Sequence, residues 1–287
     1  MKKEVWKSVK AEKIDMEGHL LDQPLPHPQV EYFDPFLLIH HAKEFKFGEQ
    51  RARDLGVGPH PHRGFSPISF IYEGEVHHRD SLGNSQVVGP GGTQWLFAGL
   101  GITHSERPSK AFAESGGMSE MIQLWVNVPA KNKMDAPFYR AIQKEDTPTV
   151  REGNMELAIV CGKYKDQSGA LQYFFPLDIW RIQFDDAQEI SLPVVEGNNT
   201  MIYVLDGGIE LNGRTYASKE MILFEKEGEL IEFKALMKSK LLFLSGAMIG
   251  EKVSKYGPYV MTTQTEVMEA LRDAQMGKMG ILIEDFE

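Results

Sequence analysis

The sequence predicts an all-β protein built from two jelly-roll or sandwich-like barrels, with a short helix near the C-terminus. Short apolar or alternating runs of strand length recur along the 287 residues. Gly, Asn or Asp stands in nearly every gap between these runs, as turns between strands require. Convincing helical periodicity is confined to one segment near the end. Many short strands with few helices are typical of sandwiches and jelly-roll barrels.

The predicted elements follow one another along the whole chain. Strand-like runs in the first half are SPISFIYEGEVHHRD, QVVGPGG, TQWLFAGLG and EMIQLWVNVP, and those in the second half include ELAIVCG, IWRIQFDD, TMIYVLDGGIELNG and LLFLSGAMIG. The GPGG at 89–92 predicts a sharp turn. The helix is predicted in TQTEVMEALRDAQMG, where four apolar residues fall at i, i+3, i+4 and i+7 and Gly277 is the expected stop, the four being Val267, Ala270, Leu271 and Ala274.

A faint internal repeat predicts two copies of one barrel. Placed without gaps, residues 59–76 fall on residues 192–209, so that FIYEGEV matches YVLDGGI as strand, acidic residue, glycine turn and strand. We therefore expect an N-terminal barrel over 1–140 and a C-terminal barrel over 141–287.

Composition narrows the function classes. The net charge is −10, and residues 141–287 carry 15 Lys and Arg against 24 Asp and Glu, so direct nucleic-acid binding is disfavoured. No apolar run approaches the roughly 20 residues that a membrane span needs, and the lysine-rich N-terminus has no apolar core of a signal peptide. The single cysteine, Cys161, rules out an internal disulfide framework and a multi-cysteine zinc site. We expect a cytoplasmic protein without a membrane partner, or a nuclear one if the source is eukaryotic.

The histidines are confined to the first part of the chain. All nine lie at or before position 104, namely His19, His27, His40, His41, His60, His62, His77, His78 and His104. Any histidine-ligated metal must therefore be held by the N-terminal barrel. In the repeat alignment His60 and His62 fall on Pro193 and Val195, so we expect the C-terminal barrel to be free of metal.

Two short motifs predict the metal ligands. In a strand, residues i and i+2 point to the same face, so His60 and His62 can hold one ion from one side. His104 and Glu106 repeat that spacing, and neighbouring strands would bring all four groups together. Three imidazoles and a carboxylate suit Fe(II), Mn(II), Ni(II) or Cu(II) better than Mg²⁺ or Ca²⁺, and Zn²⁺ stays open. An octahedral ion with four protein ligands would keep two positions for substrate and dioxygen.

The same residues are also compatible with interpretations that involve no metal site. A lone His-x-His pair is common on surfaces, and His104 with Glu106 is also compatible with a capped turn and an exposed carboxylate. Four apolar residues between the motifs either wall a pocket or form ordinary core, namely Trp95, Phe97, Leu100 and Ile102. His77 and His78 are adjacent, so one or both lie at the surface or behind the ligands. Cys161 is expected to be a small buried residue rather than a nucleophile.

Five segments of the sequence are similar to segments of one known family. PHPHRGF at 59–65 and GPGGTQWLFAGLGITHSERP at 89–108 are similar to the two metal segments of the pirin family, which belongs to the cupin superfamily. QLWVNVPAKNKMDAPFY at 123–139 and YGPYVMTTQTEVMEALRDAQMGKMG at 256–280 match its later signatures, and DPFLLIHHAKEF at 34–45 matches near the start. His40 and His41 depart from the residues usual there. The broad cupin pattern places a Glu soon after His-x-His, whereas this chain has Ser66-Pro67 there. The same pattern places its last histidine at the position where this chain has Trp95.

The resemblance implies a bicupin, with two jelly-roll barrels face to face and metal only in the N-terminal one. It implies the metal ligands His60, His62, His104 and Glu106, with Fe(II) as the expected ion and Mn, Ni, Cu or Zn still open. It also implies dioxygenase chemistry like that of quercetin 2,3-dioxygenase, in which a flavonol-like aromatic substrate is opened by O₂. Glu106 is then expected to be both ligand and proton acceptor.

The resemblance also implies a different class of function. Pirins act as iron-binding regulators of transcription factors or metabolic enzymes, with the oxidation state of the iron as the switch. The change from Fe(II) to Fe(III) adds one positive charge inside a pocket of low dielectric constant, which can reorder a partner surface. The acidic C-terminal half favours a protein partner over a nucleic acid.

Overall fold

The structure, a computed structural model, describes residues 1–16, 18–46 and 48–285. Its strands are β1 (Val5–Lys10), β2 (Glu12–Met16), β3 (His19–Leu25), β4 (Phe36–Lys46), β5 (Val57–His62), β6 (Phe65–Glu73), β7 (Val76–Asp80), β8 (Ser85–Val88), β9 (Thr93–Phe97), β10 (Ile102–Arg107), β11 (Gly117–Asn127), β12 (Phe138–Ile142), β13 (Thr149–Glu152), β14 (Met155–Cys161), β15 (Lys163–Tyr164), β16 (Gln167–Ser168), β17 (Leu177–Phe184), β18 (Gln188–Pro193), β19 (Asn199–Asp206), β20 (Gly208–Leu211), β21 (Arg214–Ala217), β22 (Glu220–Phe224), β23 (Leu230–Ala235), β24 (Ser239–Gly246), β25 (Ser254–Tyr256) and β26 (Tyr259–Met261). The α-helices are α1 (Lys110–Ser115) and α2 (Gln264–Gln275), and short 3₁₀ turns span Ala52–Asp54, Ala130–Asn132 and Lys144–Asp146. The predicted all-β class is confirmed.

The chain divides into two compact units that exchange its terminal segments. One unit holds residues 38–144 and 249–287, and we call it the histidine barrel; the other holds residues 1–37 and 145–248, and we call it the apolar barrel. The expected bounds of the two barrels, 1–140 and 141–287, stay a prediction. The sequence pattern does not show the exchange of the ends, because it depends on long-range pairing such as β1 with β22.

In the histidine barrel, one sheet has the strand order β5-β10-β7-β8, and the order β12-β9-β6-β11-β4 runs through the other. All the recorded pairings among these strands are antiparallel, so side chains alternate between the interior and the outside. The interior behind the ligand strands contains Phe65 and Trp125, whose rings lie 4.4 Å apart between centroids. The first sheet carries the histidine motifs on its inward face.

The apolar barrel repeats this topology, as the internal repeat predicts. Its sheets have the orders β18-β23-β20-β21 and β1-β22-β19-β24-β17-β14-β13. The positions matched by the gap-free alignment differ in environment, since Pro193 ends β18 and Val195 is 54% exposed. The interior at the equivalent pair of strands is filled by Leu192, Ile231 and Phe233, which belong to one continuous hydrophobic core. The imidazoles of the first copy therefore correspond to a region of tightly packed apolar side chains.

The C-terminal helix α2 begins and ends as the sequence predicts. Thr263 caps it by accepting from the backbone N–H of Glu266, whose side chain accepts from the N–H of Thr263 in return, an arrangement that contributes about 1 kcal/mol. Gly277 follows the helix at φ 71°, a left-handed conformation that glycine adopts without steric cost. Ala270 packs against Tyr259 and Met279, which fixes the segment that follows the helix.

In the part of the chain that the structure describes, no helix has the length and apolar character needed to cross a bilayer.

Candidate metal centre

Three of the predicted ligands converge on the inward face of the first sheet. His60 and His62 lie on β5, and His104 on β10 is the direct cross-strand partner of His60. The ring centroids of His60 and His104 are 4.4 Å apart, and those of His62 and His104 are 4.9 Å apart. One candidate ligand atom from each of the three residues lies within 4.8 Å of the others. The alternation expected for His-x-His in a strand has therefore brought the imidazoles together.

The turn after β5 requires glycine. Gly64 has φ 85°, and a Cβ there would clash with the backbone oxygen of Val260. The β26 strand can approach this closely because no side chain intervenes. The backbone N–H of Val260 donates to the Arg63 carbonyl at 3.0 Å, so the end of β5 is held from the outside.

Hydrogen bonds at the far side of each ring orient the imidazoles. His60 Nδ1 lies 2.8 Å from the Gly58 carbonyl oxygen, and His62 Nδ1 lies 3.4 Å from that of Pro258. A carbonyl only accepts, so both Nδ1 atoms carry the proton and both Nε2 atoms present lone pairs. These Nε2 atoms are 3.1 Å apart. Two lone pairs so close repel each other unless a cation lies between them.

His104 presents a third nitrogen to the same place. Its Nδ1 lies 3.4 Å from Nδ1 of His78, whereas its buried Nε2 has no hydrogen-bond partner among the described residues. A buried polar atom without a partner costs about 1–3 kcal/mol, so its presence needs an explanation. A metal ion held by the three Nε2 atoms supplies one.

Burial keeps the imidazoles of His62 and His104 in the form that binds metal. It lowers the pKa of His62 and of His104 well below 6.5, and the neighbouring histidines lower both further. A neutral imidazole is the ligand form, because a protonated nitrogen has no lone pair to donate. The donor set, the orphaned nitrogen and the neutral state all fit a transition-metal ion.

Glu106 lies on the same strand as His104 but beyond a register shift, and it does not belong to the three-histidine group. Glu106 is 8% exposed, and its carboxylate is held by neutral donors. Oε1 accepts from Ser69 Oγ at 2.8 Å and from Gln94 Nε2 at 2.9 Å, and Oε2 accepts from Gln123 Nε2 at 2.9 Å. Oε1 thus accepts two hydrogen bonds and Oε2 accepts one, so among the described contacts Oε2 has more lone-pair capacity left than Oε1.

The sequence motifs alone do not indicate that the amides of Gln94 and Gln123 belong to the site. Gln94 appears only within a family segment, and Gln123 begins another. The signal was strand parity combined with pairing, because Ser69 on β6 is the cross-strand neighbour of both Gln94 on β9 and Gln123 on β11. Local spacing alone does not reveal such a cluster from three strands.

The histidine pair on β7 has two different environments. His78 is 1% exposed, its Nε2 lies 2.9 Å from Asp80 Oδ2, and its ring stacks on Tyr139 at 3.7 Å between centroids. His77 Nε2 instead contacts the Ser85 hydroxyl at 2.9 Å in an exposed position. Each of the two predicted locations is therefore taken by one residue. His77 lies on the outer face of β7, and His78 lies behind His104.

The other sequence candidates lie in ordinary environments. Trp95, Phe97 and Ile102 are buried as core, whereas Leu100 is exposed. Cys161 is buried, and burial raises the pKa of its thiol to about 12, which agrees with the expected structural role.

Family models and known proteins match this chain over most of its length. A family model described as Pirin matches residues 18–126, and one described as the Pirin C-terminal cupin domain matches residues 179–280. A Pseudomonas aeruginosa protein named "Putative quercetin 2,3-dioxygenase" is 34% identical, over 86% of this chain and 87% of that protein. A pirin-like protein of Caulobacter vibrioides is 32% identical, over 92% and 94% of the two chains.

A solved structure is similar over the whole chain. The crystal structure of quercetin 2,3-dioxygenase from Acinetobacter baumannii superposes with a TM-score of 0.92 at 34% identity, covering 99% of this chain and 100% of that one. Both family models and these similarities show that the chain belongs to the pirin family, with two cupin domains and a metal site formed by His60, His62 and His104.

Proposed function

We propose that this protein is a metal-dependent dioxygenase that opens the central ring of flavonols such as quercetin with O₂. The observation that carries the proposal is the convergence of three imidazoles whose Nδ1 atoms are committed to other contacts, so that their Nε2 lone pairs share one point. The similarity to proteins named as quercetin 2,3-dioxygenases supports the choice of substrate class.

We propose Glu106 as the fourth ligand, through Oε2. Three neutral hydrogen bonds hold the carboxylate in one orientation without neutralising its charge. Three neutral imidazoles and one carboxylate would hold Fe(II), and the same set accepts Mn, Ni, Cu or Zn. A bound ion would supply a Lewis acid that lowers the pKa of a coordinated hydroxyl and a template for two reactants.

The chain itself would supply orientation and proton transfer. Glu106 is the candidate acceptor for the proton of the flavonol 3-hydroxyl, because it is the carboxylate nearest along the strand to the ligand histidines. In the overall reaction the bonds from C3 to C2 and C4 break, C3 leaves as carbon monoxide, and both atoms of O₂ remain in the ring-opened ester. We expect the protein to act in the cytoplasm on this small aromatic substrate.

The test is oxygen uptake by metal-free protein reloaded anaerobically with Fe(II) and then mixed with quercetin in air. We expect catalytic uptake of one O₂ and release of one CO per quercetin consumed. His104→Gln should abolish turnover, whereas the matched control His77→Gln, on the exposed side of β7, should retain it. Uptake that stops at one equivalent per protein would contradict the enzyme and favour an iron-dependent regulator that acts through a protein partner.

A further inference from the structure

A chain of three side chains leads from the metal site to the end of β7. In the antiparallel pairing of β7 with β10, Asp80 lies opposite His104 and His78 lies opposite Glu106. Asp80 Oδ2 is 2.9 Å from His78 Nε2, and His78 Nδ1 is 3.4 Å from His104 Nδ1. His78, Asp80 and His104 are each no more than 3% exposed, so water has little access to compete for these contacts.

Asp80 is fixed as an acceptor at one end of this chain. The backbone N–H groups of Leu82 and Asn84 donate to Oδ1 at 2.9 and 3.1 Å, and Asn84 Nδ2 donates to Oδ2 at 2.8 Å. Burial alone would raise the pKa of Asp80, but the hydrogen bonds from His78 and Asn84 outweigh it and lower that pKa. Asp80 is therefore an ionised carboxylate that only accepts.

In this series of three side chains, the direction of each hydrogen bond follows from Asp80 being an acceptor. Because Asp80 accepts, His78 Nε2 carries a proton, and the His78 tautomer that fits this contact has its lone pair on Nδ1. That lone pair can contact His104 Nδ1 favourably only if the latter carries a proton. His104 Nε2 is then the bare nitrogen, and it is the buried atom without a partner among the described residues.

The ring of His78 is also held in orientation. It lies parallel to the ring of Tyr139. The Tyr139 hydroxyl donates to Gln94 Oε1 at 3.1 Å, and Gln94 in turn donates to Glu106. A 180° rotation of the His78 ring would place Cε1 in the position of Nε2 and Cδ2 in the position of Nδ1, so the contacts with Asp80 and His104 would both be lost.

We propose that His78 and Asp80 are positioning residues that fix His104 in the tautomer with a bare Nε2, and thereby preorganise the metal site. His60 and His62 achieve the same through carbonyl oxygens, so His104 is the ligand whose tautomer depends on side chains. This proposal concerns metal affinity; it rests on the three-histidine site and not on the dioxygenase reaction. Removing such a supporting partner of a metal ligand typically weakens affinity about 10–100-fold.

Two variants of His78 separate hydrogen bonding from packing. His78→Phe keeps a planar ring against Tyr139 but removes the acceptor. His78→Asn removes the ring but places an amide oxygen near the position of Nδ1. Isothermal titration of the full-length metal-free protein with Ni²⁺ at pH 7.5 gives the affinity, and thermal unfolding without metal gives the stability. His77→Phe is the matched control at the adjacent, half-buried position, whose side chain points to the opposite face of β7.

We expect His78→Phe to bind Ni²⁺ about 10–100-fold more weakly than the unmodified protein, with His78→Asn and His77→Phe within a few-fold of it. Weak binding by His78→Asn with normal binding by His78→Phe would show a packing role and overturn the proposal. Equal affinities for all four proteins would also overturn it.

A second measurement needs no variant. Long-range ¹H–¹⁵N correlation spectra of the metal-free protein report which ring nitrogen of each histidine carries the proton. We expect His104 to be protonated on Nδ1 and His78 on Nε2. A His104 ring protonated on Nε2 would contradict the proposal, whatever the variants do.

Discussion

His104 and His60 are directly paired across the antiparallel strands β10 and β5, and their rings lie 4.4 Å apart between centroids. Direct cross-strand partners have Cβ atoms only about 4.5–5.5 Å apart on one face of a sheet. His62 is two residues along β5 and shares that face. Two neighbouring strands therefore suffice to build a three-nitrogen site, and most of its precision comes from the register of one pairing.

Glu106→Gln should destabilise the metal-free protein as well as weaken metal binding. The substituted amide has one accepting end, so it cannot accept from both Gln94 and Gln123. Gln123 cannot simply flip, because its Oε1 accepts from Trp125 Nε1 at 3.2 Å. We expect a loss of about 1–3 kcal/mol in the free energy of unfolding, measured by urea denaturation.

The same variant tests the ligand role of Glu106. Titration with Ni²⁺ should show weaker binding than in a Gln123→Leu variant, which perturbs the carboxylate surroundings but retains the charge. Equal affinity in the two variants would argue against coordination by Glu106.

Lys133→Met should loosen the segment behind His62. The Lys133 ammonium is buried and donates to Gly64 O at 2.7 Å, Asn127 Oδ1 at 2.7 Å and Val260 O at 3.1 Å, so it ties the turn after β5 to β26. Losing these bonds leaves buried oxygens unsatisfied, and we expect the free energy of unfolding to fall by at least about 2 kcal/mol.

Metal affinity should fall with it, because β26 continues from Pro258, whose carbonyl orients His62. Exposed Lys131→Met is the matched control, and it should leave both quantities unchanged. If the Lys133→Met protein were as stable as this control, the buried ammonium would contribute nothing to the free energy of unfolding.

Acid should destabilise the metal-free protein in a defined range. Because burial lowers the pKa of His62 and His104 below 6.5, the unfolded state binds their protons more readily than the folded state. The stability from these two groups is thus fully present above about pH 6.5, where both states are neutral, and is lost as the pH falls below it.

The loss should reach at most about 1.4 kcal/mol per pH unit for each histidine. Urea denaturation at pH 7.5, 6.5 and 5.5 measures it. In the double variant His62→Asn with His104→Asn the dependence below pH 6.5 should be shallower, and an unchanged slope would contradict the assignment.

Gly64→Ala should be strongly destabilising, because it combines a positive φ with a clash against the Val260 carbonyl. Gly83→Ala is the matched control, since it also has a positive φ but open space around it. We expect thermal unfolding of Gly64→Ala to occur several degrees below that of Gly83→Ala. Equal unfolding temperatures would mean that β26 can move away without cost.

The sequence predicts the three histidine ligands because strand alternation is a local property, and the two motifs each have an i, i+2 spacing. It predicts α2 for the same reason, since the residues from Val267 to Ala274 already define one helical face. His78 and Asp80 form a further i, i+2 pair, but their spacing alone does not indicate what they contact. Their role appears only when β7 is placed beside β10.

The exchange of terminal segments lies further beyond the reach of local patterns. The β1 strand pairs with β22, more than two hundred residues away, and no turn or spacing between them indicates it. Pro258 likewise reaches His62 only through the tertiary fold. Both depend on which of several compatible strand edges pair, and that choice is made by the packing of whole sheets.

The most direct test of the account is a crystal of the full chain grown with Ni²⁺ and measured at the nickel absorption edge. We expect one anomalous peak within about 2.0–2.3 Å of Nε2 of His60, His62 and His104. A peak bound elsewhere, or bound through Nδ1 of any of the three, would contradict the site on which every proposal rests.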